Sequence, residues 1–310
     1  MTHADTSSAT DRAARSAGAG ELGPVRGLDD YALACQAAGQ SVFRCGGTWW
    51  REVRPCFFRP VLPFLDAPVG PAGLPLRSLC GGYQYAARPV VDTENSYFLY
   101  LSFPHADAYC VQELPPRLRS YVRSAYRRFT VRPLQDRDEF KSRAYAVYLE
   151  VRDRTNYDYL DDRVRRPQFE RWVDAEYGAP GLIALGAWSD DRLMAVSLSR
   201  VVGTAWVYSS FFASNEALHG QAANLMLHHA RSLAAATAGV TMVYAGMQKR
   251  QASASVDAFY LHRGAKLLRR PAVLHVNPIA RLMLVGLRPD LWRALRGQSR
   301  SSDTSALETP

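Results

Sequence analysis

Tyr260 is one of sixteen tyrosines that could deliver a proton, with a core tyrosine whose hydroxyl finds a partner as the plain alternative. A phenol with an ordinary pKa of about 10 is protonated at neutral pH and can give its proton to a departing thiolate, whose pKa is about 8.5. Asp257 stands one helical turn earlier, where it would orient that hydroxyl or take a proton; a solvated carboxylate at a helix start is the plainer reading. Gly220, Gln221 and Ala222 fall in the first turns of a long helical pattern. Backbone N–H groups at a helix start point outward without intrahelical partners, and the helix dipole favours a phosphate there. Gly220 would let such a group approach the backbone, and an ordinary helix N-terminus is the alternative. His219, His228, His229 and His262 are bases by type, with His229 beside the apolar stripe of its helix, so no general base is assigned. Lys249 and Arg250 offer cations in a loop. No Ser/His/Asp order, metal-ligand spacing or Walker-type loop is present, so no metal is expected.

These residues need elements to hold them. Residues 204–213 (TAWVYSSFFA) are aromatic and β-branched enough for a strand ending at Phe211, Phe212 and Ala213. Ser214 and Asn215 then cap a helix expected over 216–236, with Leu218, Ala222, Leu225, Met226 and Leu233 at helical spacing. Gly239 stops it, a strand follows over 240–245, a short helix over 255–262 closes at Gly264, and 266–276 is the last strand. Upstream, 114–129 and 138–151 read as amphipathic helices, 167–176 as a helix started by Pro167, and 181–188 with 193–202 as strands joined at Asp190-Asp191. The segment 152–166 is polar, aromatic and turn-like, and Tyr157 and Tyr159 within it are candidate substrate contacts together with Lys249. Residues 41–65 alternate aromatic and polar groups around Gly46-Gly47, which predicts strands about a turn, and Pro55, Pro60 and Pro63 predict a sheet edge. Residues 96–103 (SYFLYLSF) are a further strand.

The order of strand, helix, strand, short helix and strand, with the motifs ALHGQA (Ala217–Ala222) and FYLHRG (Phe259–Gly264), resembles the acyl-CoA-binding half of the GNAT superfamily of N-acyltransferases over about residues 181–277. Gly220 and Ala222 match the first motif, and Ala217 stands where Gln or Arg is usual. Tyr260 falls on the family's common general acid, and Ala265 replaces a usual Phe. In that family the first strand splays from the next, and its free backbone groups pair with the pantetheine arm and polarise the acyl carbonyl, which the resemblance assigns here to Phe211, Phe212 and Ala213. The stretch LPPRLRSYVRSAYRRFTVRPLQDRDEF (Leu114–Phe140) is similar to the join between halves in the Fem-type amino-acid transferases, which carry two GNAT-like halves. The resemblance implies a mixed α/β fold with a central twisted sheet flanked by helices and two GNAT-like halves side by side. Residues 27–125 would be a degenerate half and 126–297 the donor-binding half. It further implies transfer of an acyl group from an acyl-CoA thioester, such as acetyl-CoA, to a small-molecule or peptide amine, with no tightly bound cofactor. Two alternatives stand beside it: transfer from aminoacyl-tRNA, which the cations Arg119, Arg123 and Arg127 would suit, and a non-catalytic ligand-binding module on a degenerate fold.

Composition sets the outer bounds. The chain has 310 residues, 47% of them hydrophobic, enough for a sizeable core. A net charge of +9 favours anionic partners such as CoA phosphates, nucleic acid or an acidic lipid surface, with solvated arginine as the plain alternative. The five cysteines are odd in number and scattered through the first 110 residues, which predicts reduced thiols and a cytoplasmic location. Residues 1–26 and 298–310 lack periodicity and are expected to be disordered tails, and no run is apolar enough to span a membrane.

Overall fold

Side-chain caps fix where several helices begin. The Asp136 carboxylate accepts from the amides of Asp138 and Glu139, Ser214 Oγ accepts from Ala217 N, and Asn277 Oδ1 accepts from the amides of Ile279 and Ala280. In the computed structural model, residues 27–67, 73–86, 95–155, 163–248, 254–297 and 307–308 are described. Along the chain they form α1 (Leu28–Ala37), β1 (Val42–Cys45), β2 (Thr48–Arg54), β3 (Phe57–Pro60), β4 (Gly82–Tyr85) and β5 (Ser96–Pro104). Next come α2 (Pro116–Tyr126), β6 (Thr130–Pro133), α3 (Arg137–Arg154), α4 (Arg166–Gly178), β7 (Ile183–Ser189), β8 (Arg192–Val202) and β9 (Ala205–Ala213). The chain continues through α5 (Asn215–His219), α6 (Ala222–Ala236), β10 (Met242–Met247), α7 (Ala254–Leu261), β11 (Lys266–Val276), α8 (Pro278–Leu287) and α9 (Pro289–Leu295). The architecture is mixed α/β, as expected.

The chain folds into two compact units, each assembled from separate stretches: residues 1–38 with 103–244, and 39–102 with 245–310. The position expected to divide two halves, between residues 125 and 126, falls inside the first unit.

In the first unit β6, β7, β8 and β9 form an antiparallel meander, and β10 returns parallel to β9. A parallel neighbour needs a crossover, and α5 and α6 supply it. β8 is buried from Leu193 to Val202, so both faces of the sheet are covered. On one face an aromatic core gathers Phe140 and Tyr148 of α3, Phe169 and Trp172 of α4 and Phe212 of β9; Tyr148 and Phe212 meet edge to face at 5.9 Å. A buried ion pair, Arg200 to Glu176 at 2.7 Å, ties β8 to α4.

In the second unit the order is β1-β2-β3-β4-β11-β5, antiparallel except for β3 against β4, and β12 (Leu307–Glu308), in the tail expected to be disordered, pairs parallel with Leu267 and Leu268 of β11. Trp50, Phe58 and Tyr85 centre its core. The buried Gln84 amide donates to Ser96 Oγ, Tyr97 O and Leu295 O, which pins the end of α9 to the sheet. The proline-bearing segment is not all at an edge: β3 lies between β2 and β4, and Pro60 is tolerated because β4 pairs only with Phe57 and Phe58. α1, α8 and α9 form where none was anticipated, and the helix expected over 216–236 is broken into α5 and α6. Among the described residues no helix is long and apolar enough to cross a membrane, and all five cysteines are free.

Candidate functional site

The parallel ladder between β9 and β10 pairs Ala205, Trp206 and Val207 with Met242, Val243 and Tyr244. β9 runs on to Ala213. Among the described residues, the β9 edge from Ser209 to Ala213 therefore carries amides and carbonyls that this ladder does not use. A register shift opposite Leu198 and Ser199 leaves Ser209 as the extra residue of a bulge at the point where the ladder stops. Bulges bend a strand and re-aim its groups, which suits a strand that must leave its neighbour. Ligands of parallel α/β units collect beyond the carboxyl ends of the strands, next to a helix N-terminus. The opened end of β9 and the start of α6 have that arrangement within one crossover.

The chain turns from β9 into α6 in two steps. Ala213 O accepts from Arg154 Nη2 at 3.1 Å, Asn215 Oδ1 accepts from Arg154 Nη1 at 2.5 Å, and Asn215 N donates to Glu150 Oε2 at 3.0 Å, so α3 holds the end of β9. The short α5 then stops at Gly220, and Gln221 takes a left-handed backbone, φ 68°, as the residue entering α6. A glutamine in that region is strained by about 1 kcal/mol and is held there by its surroundings. Its Oε1 accepts from Asn224 Nδ2 at 2.6 Å, and its carbonyl accepts from the amides of Asn224 and Leu225.

The sequence-expected residues differ in what they present. Phe211 is half-buried at the strand end, whereas Phe212 belongs to the aromatic core. Ala213, Ala217 and Ala222 are fully buried. Gly220 is buried too, and its amide donates to Glu216 O at 2.9 Å. A Cβ there would come within 2.6 Å of Cε2 and Cζ of Phe129, so packing against that ring demands glycine at this position. The amides at the start of α6, at Ala222 and Ala223, are those a helix leaves outside its own ladder. Arg154 and Glu150 were missed from sequence; an acid and a base four apart on one helix were the available signal, and they resemble any solvated pair.

The inner flank of α6 carries a polar cluster. His228 is 3% exposed, with Nδ1 2.9 Å from Tyr109 Oη, and its pKa is pushed down to about 4 by burial and then by the Arg231 charge. The Arg231 guanidinium lies over the Tyr109 ring at 3.9 Å, and burial pulls its pKa down as well. His229 Nε2 is 3.1 Å from Tyr126 Oη. His228 is thus a neutral core histidine, and His219 and His262 are exposed. On α2, Val122 and Ala125 are buried and Arg123 is exposed, Arg127 is exposed at the C-cap, and Arg119 donates to Gln112 O at 3.2 Å.

In the second unit Asp257 and Tyr260 lie on one face of α7 and are both buried, at 8% and 9% exposure. The Tyr260 carbonyl accepts from the amides of Arg263 and Ala265, closing the helix at the left-handed Gly264. The next ring, Phe259, is covered by the Arg263 guanidinium at 3.6 Å. Tyr157, Tyr159, Lys249 and Arg250 lie outside the described residues. No group of side chains able to hold a metal occurs among the described residues.

The fold has solved counterparts. The chain is similar to the crystal structure of FemX, with a TM-score of 0.54 and 14% identity over 91% of this chain and 99% of that one. It is similar also to the C-terminal domain of a protein described as a lysylphosphatidylglycerol synthetase from Agrobacterium fabrum (TM-score 0.56, 12% identity, 94% and 98% covered). A third is L-PGS from Bacillus licheniformis (TM-score 0.50, 11% identity, 86% and 93% covered). The fold is therefore shared with FemX and with these two other structures. No protein-family model matches the sequence, and no curated protein matches it significantly.

Proposed function

We propose that the protein is a transferase that moves an acyl group from an acyl-CoA thioester to an amine of a small molecule or peptide. The observation that carries this reading is the β9 edge released from its ladder at Val207 beside the N-terminus of α6. Acyl transfer needs a donor held by its phosphates, a carbonyl polarised as the oxyanion forms, and a proton for the leaving thiolate. Backbone groups of residues 209–213 are suited to pair with an extended pantetheine arm and to donate to the carbonyl oxygen. The amides at Ala222 and Ala223, with the dipole of α6, are suited to a pyrophosphate. The neutral amine attacks the carbonyl carbon, the tetrahedral intermediate gives the amine's proton to solvent and collapses, and the carbon–sulfur bond breaks to leave the thiolate. Tyr260 is proposed, on residue type and resemblance, to protonate the thiolate.

Thermal shift with a panel of CoA thioesters tests donor binding, because a ligand of the folded state raises apparent stability by mass action, about 2.7 kcal/mol at a hundredfold excess over Kd. Release of free thiol on adding amines tests turnover. The absence of both a shift and thiol release with every thioester of the panel would remove the reading.

One observation favours a second donor. Arg123 on α2 and Arg127 at its C-terminal cap are exposed, with the half-buried Arg119 one turn earlier, and this suits aminoacyl-tRNA, the donor implied by the Fem-type resemblance. Replacing all three with Gln would then weaken tRNA binding and flatten its dependence on salt, since each phosphate contact releases counterions. Binding indifferent to the three changes would exclude this donor mode.

A further inference from the structure

Of the nine exposed large hydrophobic residues among those described, seven belong to α8 or to the 3₁₀ turn beside it, Leu76–Leu79. Ile279 is 70% exposed, Leu282 74%, Met283 57% and Leu287 72%. Their spacing is i, i+3, i+4 and i+8, which places them within an arc of about 140° on one face of the helix. An apolar stripe of this kind ordinarily faces a core. Here it faces outward, and the residues between the stripe and the protein, Ala280 and Leu284, are the half-buried ones.

The helix is nevertheless firmly built. Pro278 occupies a first-turn position and Asn277 caps it. The Asn277 side-chain amide also donates to Leu79 O at 2.7 Å, which joins α8 to the 3₁₀ turn whose Leu76 and Leu79 are 83% and 60% exposed. On the other side α9 follows at once, and Arg281 lies 5.5 Å over the Trp292 ring. The apolar face is thus extended at one end by two leucines and bordered at the other by cations.

Charge identifies the occupant. Residues 278–297 carry four arginines against the single carboxylate of Asp290, and Arg281, Arg288 and Arg293 are exposed. A helix with an outward apolar face, arginines at its margin and an adjacent tryptophan has the make-up of an element that lies in the headgroup boundary of a bilayer. A contiguous exposed apolar patch marks an interaction site, and a basic border selects an anionic surface over a neutral one. We propose that α8, with Leu76 and Leu79 beside it, seats the protein peripherally on an anionic lipid surface, the apolar face entering among the acyl chains and Arg281, Arg288 and Arg293 meeting lipid phosphates. No part of this rests on the transferase reading.

Co-sedimentation of the full chain with vesicles of equal parts phosphatidylglycerol and phosphatidylcholine, compared with phosphatidylcholine alone, tests it. Binding is expected to the anionic vesicles only and to weaken as salt rises. Replacing Arg281, Arg288 and Arg293 with Gln should lower partitioning by about 10²-fold, at about fivefold per cation. The double change Ile279→Glu and Leu282→Glu should abolish binding and leave thermal stability unchanged, because both side chains already face water. Failure to bind anionic vesicles, equal binding to neutral ones, or binding retained in the Glu variant would each overturn the proposal. So would a dimer in light scattering that dissociates on the same Glu changes, since a second copy would then cover the face.

Discussion

Gly220→Ala isolates what the turn into α6 requires. The added Cβ would sit 2.6 Å from two carbons of the Phe129 ring, whereas an ordinary carbon contact begins near 3.4 Å, so ring and turn must separate by about 1 Å. Phe129 is 5% exposed and its amide is bonded to Ala125 O, which leaves the ring little room to retreat. Overpacking of this kind costs about 1–3 kcal/mol, which corresponds to a melting-temperature loss of a few to about 10 °C for a protein of this size. Phe129→Leu removes the two clashing atoms, so Gly220→Ala should cost less in that background, with a coupling of about 1–2 kcal/mol. Denaturant unfolding of the four proteins measures the cycle. An unchanged midpoint in Gly220→Ala, or the same loss with Leu at residue 129, would refute the packing account.

Two further outcomes follow from buried groups. His228 titrates near 4 in the folded protein and near 6.5 when unfolded, so the unfolded chain binds the extra proton between those values. Its contribution is intact above pH 6.5 and fades as pH falls to about 4, by about 3 kcal/mol in all; Tyr109, Arg231, Tyr126 and His229 face or adjoin the ring, and none supplies a carboxylate to stabilise the imidazolium. Urea midpoints across that range should fall, and His228→Gln should flatten the fall; an unaltered slope would contradict it. Tyr260→Phe keeps the ring and removes one hydroxyl, so steady-state kinetics should show kcat reduced by about 10²-fold to 10⁴-fold with donor affinity retained, and full kcat would remove the acid role.

Much of the architecture was legible because single elements carry strong local patterns. β9, α3, α7 and β11 lie within a few residues of where aromatic runs, helical spacing and terminal glycines place them. The break between α5 and α6 was not legible: Ala- and Leu-rich spacing continues through it, and the left-handed Gln221 is imposed by packing about Phe129 and by the anchoring of β9 to Arg154, which are distant in sequence. α8 was not legible either. A proline in an apolar run has two local meanings, an interruption or, as for Pro278 after its capping asparagine, the first turn of a helix, and an outward apolar face has no counterpart in a pattern read for core packing. The assembly of the second unit from two separate stretches of chain depends on pairings such as β11 with β4 and β5, which no local window encodes. For the site, residue types pointed to Tyr260 and to the start of α6, whereas the release of β9 from its ladder at Val207 is a property of the assembled sheet.

The central claim is that the freed edge of β9 and the first turn of α6 receive the donor. Hydrogen exchange of the full chain, read by mass spectrometry with and without saturating acetyl-CoA, tests it most directly, because it reports on the backbone amides assigned to the pantetheine arm and the pyrophosphate. The account predicts slowed exchange confined chiefly to residues 209–213 and 221–224, with the core strand β8 unaffected. Unchanged exchange in both segments while the thioester is demonstrably bound would contradict it.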